Sequence, residues 1–199
     1  MVLPTLDSSP SGLMSVDRRD FVKVCSMAAA AVGLPAEAAA KFAENAAQGL
    51  KPSVIWLHNQ ECTGCTESLL RTHHPALDEL ILDLISLDYH ETLMVAAGHQ
   101  AEEVRKAAME QNKGSYILVI EGAIPMKDDG VYCKIGGQTS IDLVREVAED
   151  AGAIIAIGSC ASWGGIPSAA PNPTGAVGAP TLLEGKTVVT IPGCPANPY

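Results

Sequence analysis

Positive charge is what this chain has least of. Its 13 Lys and Arg stand against 23 Asp and Glu, a formal net charge of −10. A surface of that sign repels phosphate backbones, so no nucleic acid is expected as a partner. Aromatic residues are also scarce, at 4%. Val, Ile, Leu and Ala must build the core, which suits parallel strands covered by helices. No apolar run is long enough to span a bilayer. The expectation is a chain that is soluble, or held at a membrane by something else. Six cysteines in 199 residues are too few for a disulfide scaffold. They are enough to raise the question of a metal.

The first 50 residues differ from the rest. Arg18 and Arg19 are followed by an apolar, Ala-rich run over 22–34, then Pro35 and more alanine. Basic region, apolar region and small-residue zone come in the order of an export signal. The first 23 residues carry three basic and three acidic side chains. A general secretory signal is more positive, and Asp17-Arg18-Arg19-Asp20-Phe21-Val22-Lys23 looks like a twin-arginine signal. Ala36-Glu37-Ala38 and Ala38-Ala39-Ala40 are candidate cleavage zones. The competing reading is an Ala-rich surface helix. Residues 1–50 are therefore read as leader, and 51–199 as the folded domain.

Beyond residue 50, short apolar runs alternate with helical patterns. Strands are predicted at 53–58, 116–120, 153–157 and 187–191. Helices are predicted at 66–72, 102–111 and 141–151. Residues 77–87 read as a helix leading into a short strand, and 124–138 as a turn-rich stretch or hairpin carrying Cys133. Residues 164–185, rich in Gly, Pro and Ala, read as a long ordered cover. This alternation implies an α/β fold, a doubly wound parallel sheet with helices on both faces.

Four cysteines obey C-x2-C-x94-C-x33-C: Cys62, Cys65, Cys160 and Cys194. The spacing alone is a weak signal, but the placement is stronger. Each follows a predicted strand, and ligands of open parallel sheets bind outside the carboxyl ends of the strands. Gly64, Gly158 and Gly193 stand beside them, where a missing side chain lets the backbone approach an inorganic core. Four thiolates in one site are the usual ligand set of a [4Fe–4S] cluster. Structural zinc, or a redox disulfide between Cys62 and Cys65, remains open at this point. Cys133 reads as a packed free thiol, and Cys25 lies in the leader.

The stretch Trp56-Leu57-His58-Asn59-Gln60-Glu61-Cys62-Thr63-Gly64-Cys65-Thr66-Glu67-Ser68 resembles the first cluster motif of the small subunit of nickel–iron hydrogenases. Asp88-Tyr89-His90-Glu91, Glu121-Gly122-Ala123-Ile124-Pro125, Gly158-Ser159-Cys160, Pro171-Asn172-Pro173-Thr174-Gly175 and Pro192-Gly193-Cys194-Pro195 extend the likeness. The resemblance implies a flavodoxin-like domain. It implies a proximal [4Fe–4S] cluster on Cys62, Cys65, Cys160 and Cys194, and a large-subunit partner that splits H2 at a nickel–iron centre. It also turns Glu61 towards that partner, where a carboxylate can act in proton transfer or pair across the interface. The cluster-bearing subunit of respiratory complex I shares the later cysteine motifs but uses adjacent cysteines at the first. The C-x2-C here favours hydrogenase.

Exported members of this family continue past the last cysteine motif. The continuation carries ligands for further Fe–S clusters and often a membrane anchor, and this chain has no ligands for them. The leader favours reading the chain as a fragment of such a protein. Its expected location is periplasmic, held at the inner membrane through the missing region or through partners. A membrane cytochrome or ferredoxin-like protein is the expected electron acceptor. Oxygen-tolerant relatives carry additional cysteines at the positions of Gly64 and Gly165, so the resemblance implies an oxygen-sensitive enzyme.

Overall fold

The computed structural model describes residues 33–197; Arg18, Arg19 and Cys25 lie outside them. The first helix, α1 (Ala36–Ala47), falls in the stretch read as leader. It buries Ala38, Ala39 and Ala43, and Lys41 Nζ donates to the Lys113 carbonyl at 3.0 Å. Both candidate cleavage zones thus lie in the opening turns of a packed helix.

The central sheet has five parallel strands: β1 (Ser53–His58), β2 (Ser86–His90), β3 (Ile117–Glu121), β7 (Ala153–Ile157) and β9 (Val189–Ile191), in the order β2-β1-β3-β7-β9. That is the flavodoxin-like doubly wound order. β1 is buried throughout, because its side chains alternate between two apolar faces. Ile55 and Leu57 join Leu118, Ile120, Ile154 and Ala156 in the main core. Val54 and Trp56 join Val119 on the other face.

Between β1 and β2 lie α2 (Gly64–Leu69) and α3 (Leu77–Glu79), the latter running into a π-helical turn at Leu80–Leu84. α4 (His99–Gln111) and α5 (Ser140–Glu149) cover the main core. Arg105, fully buried on α4, reaches Glu102 at 2.9 Å and Glu146 of α5 at 3.5 Å, which ties the two helices together. Thr139 caps α5 by accepting the Asp142 N–H.

The turn-rich stretch resolves into β4 (Ile124–Pro125), a 3₁₀ turn, and a hairpin of β5 (Lys134–Ile135) and β6 (Gln138–Thr139), with Cys133 one residue ahead of it. The Gly-Pro-Ala cover is ordered. α6 (Gly158–Trp163) leads into it, β8 (Ala176–Val177) pairs with β4, and α7 (Ala179–Leu182) packs Leu182 into the core. Pairing between distant segments organises it, which explains why it has no periodicity of its own. Among the described residues, no helix is long and apolar enough to cross a membrane.

Candidate metal centre

Cys62, Cys65, Cys160 and Cys194 lie on three connections, each leaving the carboxyl end of a central strand, with Cys65 in the first turn of α2 and Cys160 in α6. Together they line one small cavity of about 130 Å³, with Glu61, Glu121 and Ile157 also in its wall. Cys62 and Cys194 are exposed, Cys65 and Cys160 half-buried, and all four are free thiols. Cys133 is half-buried and outside this cavity.

Backbone hydrogen bonds hold the loops in register. Gln60 and Ala123 exchange two, each at 2.9 Å, which fixes the approach to Cys62. Ser159 N–H donates to the Gly193 carbonyl at 2.7 Å, and Gly193 N–H donates to Ser159 Oγ at 3.2 Å. That reciprocal pair couples the Cys160 loop to the Cys194 loop. Ser68 Oγ on α2 donates to the Ala196 carbonyl at 2.7 Å, joining the Cys194 loop to the Cys65 helix.

Glu121 is the buried anion of the site. It sits at the end of β3 and is 1% exposed. Its carboxylate accepts from Trp56 Nε1 at 3.0 Å, Cys65 N–H at 3.0 Å, Thr66 N–H at 3.3 Å and Thr66 Oγ1 at 2.6 Å. It thereby caps α2 from another strand, since Thr63, the residue before the helix, makes no side-chain cap. Removing the carboxylate leaves several buried donors unpaired, a cost of roughly 1–3 kcal/mol for each.

Behind Glu121 lies a histidine pair. His90 is fully buried, and its Nδ1 accepts N–H groups from Thr92 and Leu93, each at 3.3 Å. Its proton is therefore on Nε2, 3.4 Å from Thr66 Oγ1. His58 Nε2 approaches His90 Nδ1 at 3.4 Å, so His58 is the donor there. His58 Nδ1 lies 3.2 Å from Glu61 Oε1, a contact that requires one further proton shared by the two. Burial and the neighbouring His58 push the His90 imidazole down to about 4. Burial pushes the Glu91 carboxyl up to about 8, against the His58 N–H and Tyr89 hydroxyl that favour its ionised form. Glu61 Oε2 is buried without a partner among the described residues.

The donor set can be tested against the groups it could hold. Four thiolates around one zinc at about 2.3 Å stand about 3.8 Å apart. Among the described residues, the His, Cys, Asp or Glu trio whose ligand atoms lie within 4.8 Å of one another is His58, Glu61 and Glu121, and not any three of the cysteines. No three of the four sulfurs are thus gathered as closely as a single zinc would hold them. The rim is also kept free of Cβ atoms. Gly158 has φ +82°, and a Cβ there would overlap Cys65 Sγ. Gly165 has φ +51°, and a Cβ there would come within 2.8 Å of Cys160 Cα and Sγ. The backbone at Ala196 pulls the Cys65 thiol down and that at Ile166 the Cys160 thiol, each against the larger effect of burial. Without a metal, burial pushes the Cys65 thiol up to about 11 and raises Cys160 as well. The site thus disfavours bare thiolates unless a cation neutralises them. The His58–Glu61–Glu121 trio is no second metal site, because its central carboxylate already has four donors.

The sequence singles out the four cysteines, which the structure brings to one cavity, and Glu61 beside them. His58, His90, Glu91 and Glu121 stand in its motifs without a distinct role there. The available signal was charge at the end of a buried strand, as in Ile117–Glu121.

Fold and site together define the class: a flavodoxin-like α/β domain with a thiol-lined cavity at the carboxyl edge of its sheet. The chain belongs to the family described as NADH ubiquinone oxidoreductase, 20 Kd subunit, which it matches over residues 62–199. Within that breadth it is homologous to hydrogenase small subunits. It is 54% identical to the Hydrogenase-2 small chain of Escherichia coli over 92% of this chain and 50% of that protein. It is 46% identical to the Periplasmic [NiFe] hydrogenase small subunit 1 of Nitratidesulfovibrio vulgaris over 92% of this chain and 58% of that protein. Among solved structures, the Ni-Fe-Se hydrogenase from Desulfomicrobium baculatum matches with a TM-score of 0.73 and 38% identity, over 74% of this chain and 58% of that one. The chain spans about half the length of the curated relatives it matches.

Proposed function

We propose that this chain is the electron-relay portion of a nickel–iron hydrogenase small subunit, with Cys62, Cys65, Cys160 and Cys194 holding one [4Fe–4S] cluster. The observation that carries the reading is the meeting of four thiols, from loops up to 132 residues apart, in one cavity rimmed by glycine. The hydrogenase names and identities of its relatives favour this reading over a complex I-like role, and no three sulfurs lie within 4.8 Å of one another, as a zinc-stapled module would need. When bound, such a cluster supplies a reversible one-electron step.

The chain's own residues do the rest. The cysteines hold the iron, and Glu121 fixes the helix that presents Cys65. Once four cysteines are taken, only Cys25 and Cys133 remain, so the nickel–iron centre that splits H2 belongs to a large-subunit partner. Glu61, with one oxygen on His58 and the other without a partner among the described residues, is proposed to exchange a proton across that interface. The leader reading makes the protein a twin-arginine export substrate that functions in the periplasm. Membrane attachment, and a cytochrome or ferredoxin-like acceptor, complete the proposal.

The test is iron and acid-labile sulfide analysis with low-temperature EPR of the reduced protein. About four of each per chain are expected. Cys160→Ala and Cys194→Ala should lose the cubane signal, and Cys133→Ala should keep it. A full signal in both ligand variants, or stoichiometric zinc with no sulfide, overturns the assignment.

A further inference from the structure

The arm that carries Cys62 is held from two sides. On one side it pairs with the end of β3. Asn59 N–H donates to the Glu121 carbonyl at 2.9 Å, and Gln60 and Ala123 exchange their two backbone bonds. Gly122 permits this close approach. Its φ is +88°, and a Cβ there would stand 2.8 Å from the Gln60 carbonyl oxygen and from Glu61 Cβ. On the other side the contact comes from 114 residues away. Thr174 Oγ1, in the Gly-Pro-Ala cover, donates to Gln60 Oε1 at 3.0 Å.

A braced turn delivers that hydroxyl. Asn172 Oδ1 accepts the Ala176 N–H at 2.7 Å, and Asn172 Nδ2 donates to the Ala176 carbonyl at 3.1 Å, so one side chain closes the turn. Lys127 N–H donates to the Thr174 carbonyl at 3.0 Å and Met126 N–H to the Gly175 carbonyl at 3.2 Å. The β4–β8 pair continues this ladder. The backbone of Thr174 is thus fixed to the segment that follows β3, while its side chain bonds to the segment that follows β1.

The two holds meet at Gln60, whose backbone is bonded to Ala123 and whose side chain is bonded to Thr174. Cys62 follows two residues later and is exposed. Next to it, Thr63 has φ +63°, a left-handed conformation that a β-branched residue rarely adopts. Such a conformation persists only where the surroundings impose it. An arm released from Gln60 would relax at Thr63 and carry Cys62 with it.

We propose that Thr174 is a positioning residue for the cluster: acting through Gln60, it holds the Cys62 arm in its ligating position. This rests on the reading of the four cysteines as cluster ligands. Loosening the arm makes iron easier to remove and admits water to the cluster. The reduced cluster carries one more negative charge than the oxidised one, and water stabilises that charge, so the midpoint potential rises.

The test uses the protein as recovered anaerobically from cells. Thr174→Val keeps the shape and loses the hydroxyl, Thr174→Ser restores it, and Gln60→Leu removes its acceptor. Amide hydrogen exchange at Ala123 should quicken roughly two- to tenfold in Thr174→Val and Gln60→Leu, the range for one lost hydrogen bond. Iron release to a chelator should quicken several-fold in the same two variants, and the midpoint potential should rise. Thr174→Ser should behave as wild type, and the combined Thr174→Val, Gln60→Leu variant should add nothing to either single change. Unchanged exchange at Ala123 in Thr174→Val overturns the proposal. So does quickened exchange with unchanged iron release and potential, which would leave Thr174 a brace of the cover alone. Additive effects in the combined variant, or a Thr174→Ser that matches Thr174→Val, overturn it equally. Absence of iron from the wild-type protein would instead sink the cluster reading, and with it the cluster role of Thr174, while the exchange rates still decide whether Thr174 holds the arm.

Discussion

At the scale of single residues, the carboxylates near the thiols have separate tasks. Glu121 is saturated with donors and holds structure. Glu61 has one oxygen without a partner among the described residues and a histidine neighbour, the features behind its proposed role in proton exchange. Glu61→Gln keeps size and hydrogen bonding but removes proton exchange. In the assembled enzyme it should cut H2 turnover by at least tenfold and leave the cluster EPR signal intact, whereas full turnover with an unchanged pH profile would leave Glu61 as an interface contact. Glu91 makes a stability prediction. Its carboxyl holds its proton more tightly folded, near 8, than unfolded, near its ordinary 4.5. The associated stability is complete below about pH 4.5 and is lost as pH rises through about 8. The urea midpoint of the metal-free chain should therefore fall between pH 5 and pH 8, and by less in Glu91→Gln. His90 works in the opposite sense. Its depressed value gives stability that is present above about 6.5 and lost as pH falls through about 4.

At the scale of elements, the strands were legible because each is a short apolar run closed by Gly or a polar residue. Strands β1 and β7 lie at the residues that the sequence pattern predicts, 53–58 and 153–157. The short elements were not legible. β4 and β8 are two residues each and exist only because they pair with one another across 50 residues of chain. The backbone of the Cys160 loop also explains a glycine. Gly165 adopts φ +51° and ψ −141°, a conformation open only to glycine, against the Cys160 backbone. Gly165→Ala should displace this loop and lower iron content per chain by half or more, while Gly137→Ala, with open space around its Cβ position, should leave iron content unchanged. Gly165→Cys meets the same obstruction, so a thiol cannot be added here without remodelling the loop.

At the scale of the whole molecule, export is the role proposed for the first 50 residues. Replacing Arg18 and Arg19 with Lys should hold the protein, and any large subunit carried with it, in the cytoplasm. Unchanged periplasmic recovery, measured by fractionation and immunoblot, would show that the pair is not an export signal. A cluster-bearing protein benefits from folding before export, because an oxidising compartment attacks free thiols.

The sequence by itself determined the fold class, the strand order's raw material and the four cysteines. Hydrophobic period and strand-end placement are local properties that survive without coordinates. Tertiary structure decided which groups meet. The Glu121 cap on the Cys65 helix joins residues 56 positions apart. The His58–His90 pair needs β1 and β2 to lie side by side. Such contacts depend on how strands pair and which way the connections turn, so their physical cause lies in the assembled sheet.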